Sequence, residues 1–436
     1  MTETTLPDAD RSPLRIANFR AYWFSRLSMT LAQYAMMLII GWQTYNIARD
    51  GGMGVGAASG QLALIGLLQF VPLFLLTPFS GWAADHFDRR NIARLTVLAQ
   101  LGCAATLAWL TTSNNLTLPT LFSVAVVLGI VRAFNGPALS ALAPNLVPKT
   151  ILPNAIALSS IAWQVGMIVG PAIGGYTYAI FPALPYFVAL GLFACSLVAL
   201  SFIGRVPQPP REANRRPIHQ MVEGLRYVVR NKMVLGAITL DLFAVFLAGA
   251  TALFPVYARD ILEVGETGLA QLAMAPAVGA ALTALWFSFR PLKTNVGPKM
   301  LLAVAVFGLA TIIFGLSQSM PLSLAMLFIV GAADMFSVYI RQSLIQLHTP
   351  DDKRGRVSSV SLLTISASNE FGDFFSGSLA FLLGPVLAVV GGGVGAIVTV
   401  ALWAKIFPVL RTTRTFDPPE ELLDTPPEQK LQEQMP

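Results

Sequence analysis

Residues Leu118–Leu139 read LPTLFSVAVVLGIVRAFNGPAL, an apolar run holding one charge, Arg132. The run is long enough to cross roughly 30 Å of hydrocarbon as a helix of about 20 residues. A guanidinium at that depth costs roughly 2.5–3.5 kcal/mol on insertion scales. Arg132 must therefore face a partner, a wet cavity or a passing ligand rather than lipid. A buried cation in a spanning helix points to movement of a solute across a membrane.

The rest of the chain agrees. Hydrophobic residues make up 55% and charged residues 12%, against roughly 25% charged in soluble proteins. A soluble chain of this size has too little interior for so much apolar surface. The net charge of +6 comes in short blocks between apolar runs. That pattern orients helices in a membrane and excludes a nucleic-acid groove. Cys103 and Cys195 both lie inside apolar runs, so no disulfide framework is expected. The N-terminal stretch has no short apolar core followed by a small-residue cleavage site, so no signal peptide is expected.

Twelve segments are expected to span: 23–47, 60–80, 92–112, 118–139, 155–178, 184–204, 233–258, 268–289, 299–318, 321–341, 358–382 and 386–408. No ten-residue alternation recurs, which excludes a β-barrel. The loops after even-numbered spans carry the basic residues, among them Arg89, Arg90, Arg94, Lys149, Arg290, Arg341 and Arg356. The loops after odd-numbered spans hold only Arg49 and Arg259. The positive-inside rule then places the basic loops and both termini in the cytoplasm. The expected fold is an all-α membrane protein, twelve transmembrane helices in two pseudo-symmetric six-helix bundles. Its parts are a cytoplasmic segment 1–22, a bundle 23–204, a basic linker 205–232 with a short amphipathic helix, a bundle 233–408 and a disordered cytoplasmic tail 409–436.

The halves align at an offset of 202 residues, which pairs Arg132 with Asp334, Pro148 with Pro350, Asn154 with Arg356 and Gly170 with Gly372. Transporters built from such repeats bind substrate near the midplane, between the halves.

Three motifs resemble the major facilitator superfamily, and the likeness covers nearly the whole chain. GWAADHFDRR (Gly81–Arg90) is similar to the family's cytoplasmic gate motif, with Gly81, Asp85, Arg89 and Arg90 in place. His86 stands where Arg or Lys is usual, and Asp88 where Gly is usual. LGIVRAFNGPA (Leu128–Ala138) resembles the span-4 motif, whose arginine is implicated in proton coupling. GMIVGPAIGG (Gly166–Gly175) resembles the span-5 motif of drug/proton antiporters, with Gly166, Gly170, Pro171, Gly174 and Gly175. Residues 144–160 and 348–360 look like the efflux branch that includes enterobactin (siderophore) exporters.

The resemblance implies a bacterial inner-membrane location and a central cavity lined by spans 1, 4, 7 and 10. Those spans carry Arg26, Arg132, Asp241 and Asp334. Span 11 adds Glu370 and Asp373 at i, i+3 spacing. Desolvation favours the neutral form of a carboxylate, and a nearby arginine favours the charged form. A contact that changes between states can thus load and release a proton. The expected proton site lies among Asp241, Asp334, Glu370 and Asp373, with Arg132 as modulator. The bland alternatives are an interfacial Asp241, a snorkelling Arg26 and structural bonding by the span-11 acids. The expected substrate wall comprises Arg26, Gln33, Tyr34, Trp42, Asn135, Phe243, Phe246, Met335 and Tyr339, weighed against ordinary packing. The gate motif is expected to hold the cytoplasmic side shut when the cavity opens outward, and the span-5 glycines to pack against span 8.

No G-x-x-x-x-G-K-[ST] loop occurs, so ATP-driven pumping is unsupported. The three histidines His86, His219 and His348 fall in expected cytoplasmic loops, so neither a metal cluster nor a cofactor is expected. The expected partners are a small-molecule substrate, protons and the lipid bilayer, with no nucleic acid and a monomeric state. Proton-driven export of an amphipathic molecule is the main reading. A proton-coupled importer is the alternative, and a polytopic membrane enzyme a more distant one.

Overall fold

A computed structural model describes residues 12–204 and 217–417. The expected linker segment 205–216, residues 1–11 and the tail from 418 onward lie outside the described residues, as do some side chains within helices. The described residues form α1 (Ala17–Asp50), α2 (Val55–His86), α3 (Arg89–Thr112), α4 (Leu118–Leu142), α5 (Leu152–Ile180) and α6 (Leu184–Ser201). A shorter α7 (Pro217–Arg230) follows the linker. Then come α8 (Lys232–Ala248), α9 (Phe254–Val256), α10 (Gly265–Phe289), α11 (Val296–Leu316), α12 (Met320–Leu347), α13 (Asp351–Leu383), α14 (Pro385–Ile406) and α15 (Pro408–Thr412).

Ten of the described segments are long and apolar enough to cross a bilayer. The remaining two of the expected twelve are α1 and α13, whose lengths suffice. Both carry more polar residues, and the continuously apolar part of α13 is Phe371–Leu383. Polar content in spanning helices marks faces turned away from lipid.

The packing pattern repeats. In the first half α1 packs on α5 and α6, α2 on α4, and α3 on α4 and α6. In the second half α8 packs on α13 and α14, α10 on α12, and α11 on α12 and α14. Each half encloses its own apolar core. The helices α4 and α12 begin at Leu118 and Met320, each with proline in the first turn, and preserve the 202-residue offset. Proline suits that turn because its missing N–H has no helical acceptor there.

Span 7 is not one continuous helix. It breaks after Ala248, passes a 3-10 turn at Thr251–Leu253, and ends in a π turn at Tyr257–Ile261. Gly249 weakens the helix and Pro255 removes a backbone donor, which accounts for the break. The start of the expected disordered tail is ordered. Residues 408–412 are helical, Leu410 is buried, and the Thr413 carbonyl accepts from Gly297 N at 3.1 Å. A side chain at Gly297 would overlap the Leu410 carbonyl, so its hydrogen lets the tail cap α11. At the other end, the expected cytoplasmic segment 1–22 includes a 3-10 turn at Pro13–Arg15 and the start of α1.

The halves meet along α2–α13 and α5–α10, two contacts that the repeat makes equivalent. On α2 the contact stripe is Gly56, Gly60, Ala63, Gly66 and Phe70, facing Phe381, Gly377, Phe374 and Phe371 on α13. A Cβ at Gly377 would lie 2.7 Å from the Ala63 Cβ, so the backbones approach as closely as small residues permit. Phe70 and Phe371 are the last ring pair across this seam among the described residues, at 5.5 Å. Phe74, one turn further, is 54% exposed. The seam is packed closely toward the end bearing loop 51–54, and near the basic end α2 also meets α7, which packs on α13.

Candidate transport site and gates

Two cavities lie inside the halves, and their chemistry differs. The second-half cavity, with room for about one water molecule, is lined by Asp241 and Val245 of α8, Phe307 of α11, and Asp334 and Ser337 of α12. Asp241 is 6% exposed and pairs with Arg341, which is 3% exposed. Arg341 lies two helical turns beyond Asp334 on α12. Sequence reading had placed it in the loop after span 10, but α12 runs on to Leu347 and draws it inside. A buried charge pair is tolerated where the partners compensate each other. Arg341 is thus the base paired with Asp241 beside this cavity.

The first-half cavity, likewise of about one water molecule's size, is lined by Gln33, Met36 and Met37 of α1, Gln69 of α2, Gln100 of α3, and Arg132 of α4. Arg132 and Asp334 occupy equivalent places in the repeat and line separate cavities. Gln69 and Gln100 were not anticipated. Their signal was two amides inside otherwise apolar spans, where burial of a polar group needs a reason.

The other expected residues divide. Phe246 joins a cluster that bridges the seam, stacking on Phe371 at 5.5 Å and meeting Phe375 at 4.7 Å. Phe243 instead packs on Trp403 of α14 at 5.1 Å, which turns it away from the expected wall. Tyr339 stacks on Phe287 of α10 at 4.3 Å, a contact inside the second half. Asn135 is buried, its oxygen accepting from Thr96 and its amide nitrogen 3.1 Å from the Met29 sulfur, so it joins α4 to α3 and α1. Trp42 is buried in the core that joins the halves. Arg26 donates to the Tyr22 hydroxyl at 2.8 Å, and Tyr22 donates in turn to the Leu139 carbonyl. Tyr34 packs beneath Gly170, and Met335 is half-buried on α12. Asp373 accepts from the Thr251 hydroxyl at 2.8 Å, tying α13 to the break in span 7. The side chain of Glu370 lies outside the described residues.

The span-5 glycines pack differently from expectation. Gly166, Gly170 and Gly174 face Thr30, Tyr34 and Ala35 of α1 in the same half. Their i, i+4, i+8 spacing forms one stripe, which meets α1. Gly175 lies about 100° round the helix from Gly174. It alone of the four meets α10, where a Cβ would lie 2.7 Å from the Glu266 carbonyl. Pro171 is buried within α5.

At the gate motif, the side chains of Gly81 and Asp85 lie outside the described residues, and Arg89 is half-buried. Asp88 caps α3, accepting from Arg90 N at 3.0 Å and pairing with the Arg90 guanidinium at 2.5 Å. Arg90 also donates to the Ile203 carbonyl, and Arg94 to the Leu200 carbonyl. Asp88 and Arg90 thus fasten α3 to α6 within one half. The Arg90 hydrogen bond holds the Asp88 carboxyl below the usual carboxylate range. A glycine at 88 would lack this cap, which explains the departure from the motif.

The opposite end carries a charge cluster across the seam. Arg49 of α1 binds Asp260 through two nitrogens, at 3.1 and 3.2 Å, and Tyr45 donates to the same carboxylate. Arg259 donates to Asn46 at 2.6 Å and pairs with Asp50 at 2.6 Å. The π turn carries both Arg259 and Asp260. Such turns change the register of the residues that follow. Sequence reading used Arg49 and Arg259 only to orient the chain, although each stands beside an aspartate.

A family model described as transmembrane secretion effector matches residues 9–434. The chain belongs to this major facilitator family. The secretion-effector chain is 26% identical to the multidrug efflux pump Tap of Mycolicibacterium fortuitum, over 76% of its own length and 79% of the pump's. It is 24% identical to the enterobactin exporter EntS of Escherichia coli, over 82% and 85% of the two chains. The solved peptide transporter POT superposes with a TM-score of 0.70 at 14% identity, covering 92% of this chain and 99% of that one. The fold is thus the all-α major facilitator fold, and this family member is a multi-pass membrane transporter of a small molecule rather than an enzyme. Among its described residues no group of His, Cys, Asp and Glu is placed to hold a metal.

Proposed function

We propose that the protein is a proton-coupled exporter of a small amphipathic molecule, siderophore-like or drug-like, in a bacterial inner membrane with the basic face toward the cytoplasm. The observation that carries coupling is the shared cavity of Asp241 and Asp334, with Arg341 compensating only Asp241 by an ion pair. Arg341 gives Asp241 a partner of opposite charge. Asp334 takes and releases the proton, because neutralisation removes the cost of a second buried negative charge. Arg132 and the three glutamines of the other cavity offer polar contacts to substrate, and the Phe70–Phe246–Phe371 cluster offers apolar ones. Export is supported by the names of the relatives near 25% identity. The same acids serve a proton-coupled importer equally well, since protonation chemistry carries no direction.

Purified protein in proteoliposomes tests both parts, with a panel of catecholate siderophores and lipophilic cations. A pH gradient imposed in either sense gives the direction. Asp334→Asn is expected to reduce gradient-driven flux at least tenfold while substrate exchange at equal pH persists. Gradient-driven flux equal to that of the unmodified protein rejects Asp334 as the proton site. Uptake in the direction of proton entry establishes the importer.

A further inference from the structure

The helix α7 has three distinct faces. Gly224 and Val228 are buried against the second half, where Tyr227 donates to the His348 carbonyl at 2.9 Å and Glu223 pairs with Arg356 at 2.6 Å. Val222, Leu225 and Val229 are exposed, at 43%, 51% and 57%. Arg226 and Arg230 are exposed as well. At about 100° per residue, the three apolar side chains form one stripe and the two arginines a second, roughly 90° from the first. Neither stripe coincides with the packed face.

The level of the helix is fixed by its surroundings. Only Asn231 separates α7 from α8, whose buried side chains begin at Met233. The spanning helices end at the same basic face with large exposed aromatics, Phe87, Phe202 and Phe289. There Arg290 lies 5.2 Å from the ring of Trp286. Aromatics and arginines mark the boundary between acyl chains and headgroups. A helix at that height, apolar on one side and cationic on the next, matches a lipid surface in both chemistry and geometry.

We infer that α7 is a membrane-surface helix that recognises anionic lipid headgroups. Val222, Leu225 and Val229 enter the acyl boundary, and Arg226 and Arg230 meet phosphates. The contact with α13 then couples the lipid surface to the second half of the transporter. This inference is independent of substrate and direction.

The full-length protein tests it with an environment-sensitive fluorophore on Leu225→Cys, in a background with Cys103→Ser and Cys195→Ser. Vesicles of phosphatidylcholine alone are compared with vesicles containing phosphatidylglycerol. The anionic lipid is expected to blue-shift the probe and increase quenching by a lipid-borne nitroxide. Substitution of Arg226→Gln or Arg230→Gln is expected to weaken the anionic-lipid response about fivefold each, the effect of one basic residue near an anionic surface. Size-exclusion elution identical to that of the parent protein verifies folding of each variant. A probe quenched by aqueous iodide in both vesicle types, or a lipid response unchanged by the arginine substitutions, overturns the inference. Burial of the probe only on addition of a soluble protein overturns it in favour of a protein partner.

Discussion

The two ends of the α2–α13 seam are built differently. Toward loop 51–54, glycines and alanine bring the backbones together, and six polar side chains of α1 and the π turn bind across the halves. Toward loop 87–88, the described ion pair between Asp88 and Arg90 stays within one half, and Phe74 is half exposed. The difference teaches that the charges near loop 51–54 join the two halves, whereas the Asp88–Arg90 pair braces one half from within.

The strongest way to break the asymmetry is covalent. A Cβ built at Gly60 lies 3.7 Å from the Phe381 Cβ, within the span a disulfide requires. Gly60→Cys with Phe381→Cys is expected to crosslink on oxidation and to abolish transport, with recovery after reduction. Thr77→Cys with Thr364→Cys, further along the same two helices, reports on the basic end, and faster crosslinking of the first pair than of the second would sharpen the contrast between the two ends. Gel mobility after proteolysis at the linker reads both.

Charge removal comes next. Asp260→Asn weakens the bonds from Arg49 and Tyr45 and is expected to shift the equilibrium by about 2 kcal/mol, roughly thirtyfold, toward opening at this end. Spin-label distances between loop 51–54 and the π turn measure the shift. Gly170→Ala places a methyl 2.6 Å from the Tyr34 Cβ inside one half. It is expected to destabilise the protein by about 1–3 kcal/mol without moving that equilibrium. Thermal unfolding in detergent, run beside the same distance measurement, separates the two effects.

The smallest effect falls on the internal brace. Asp88→Ala removes the α3 cap and is expected to cost about 1 kcal/mol. The Asp88 carboxyl is held below its usual range, so its contribution is present above the unfolded carboxylate value and is lost as pH falls through the folded one. The stability difference between Asp88→Ala and the parent should therefore shrink below about pH 4.

Much of this architecture was legible from apolar length and the placement of basic residues. The twelve spans and the repeat follow from those two quantities, because lipid demands internally bonded helices of fixed length. Arg341 was misplaced because a charge ends an apolar window, whereas the fold continues α12 and compensates the arginine with Asp241. The glycine stripe of α5 was visible at its 166–170–174 spacing, but spacing names a face and not the helix it meets. Gly249 and Pro255 were signals for the break in span 7 that hydropathy alone passed over. The Arg49–Asp260 contact joins positions 211 residues apart, and no local pattern encodes that distance.

Asp241, Asp334 and Arg341 all ride on a single bundle. A rigid swing of one bundle against the other leaves their mutual spacing untouched. Such a swing changes only which aqueous compartment wets the cavity, so the acidity of the site would be governed by hydration rather than by rupture of its ion pair.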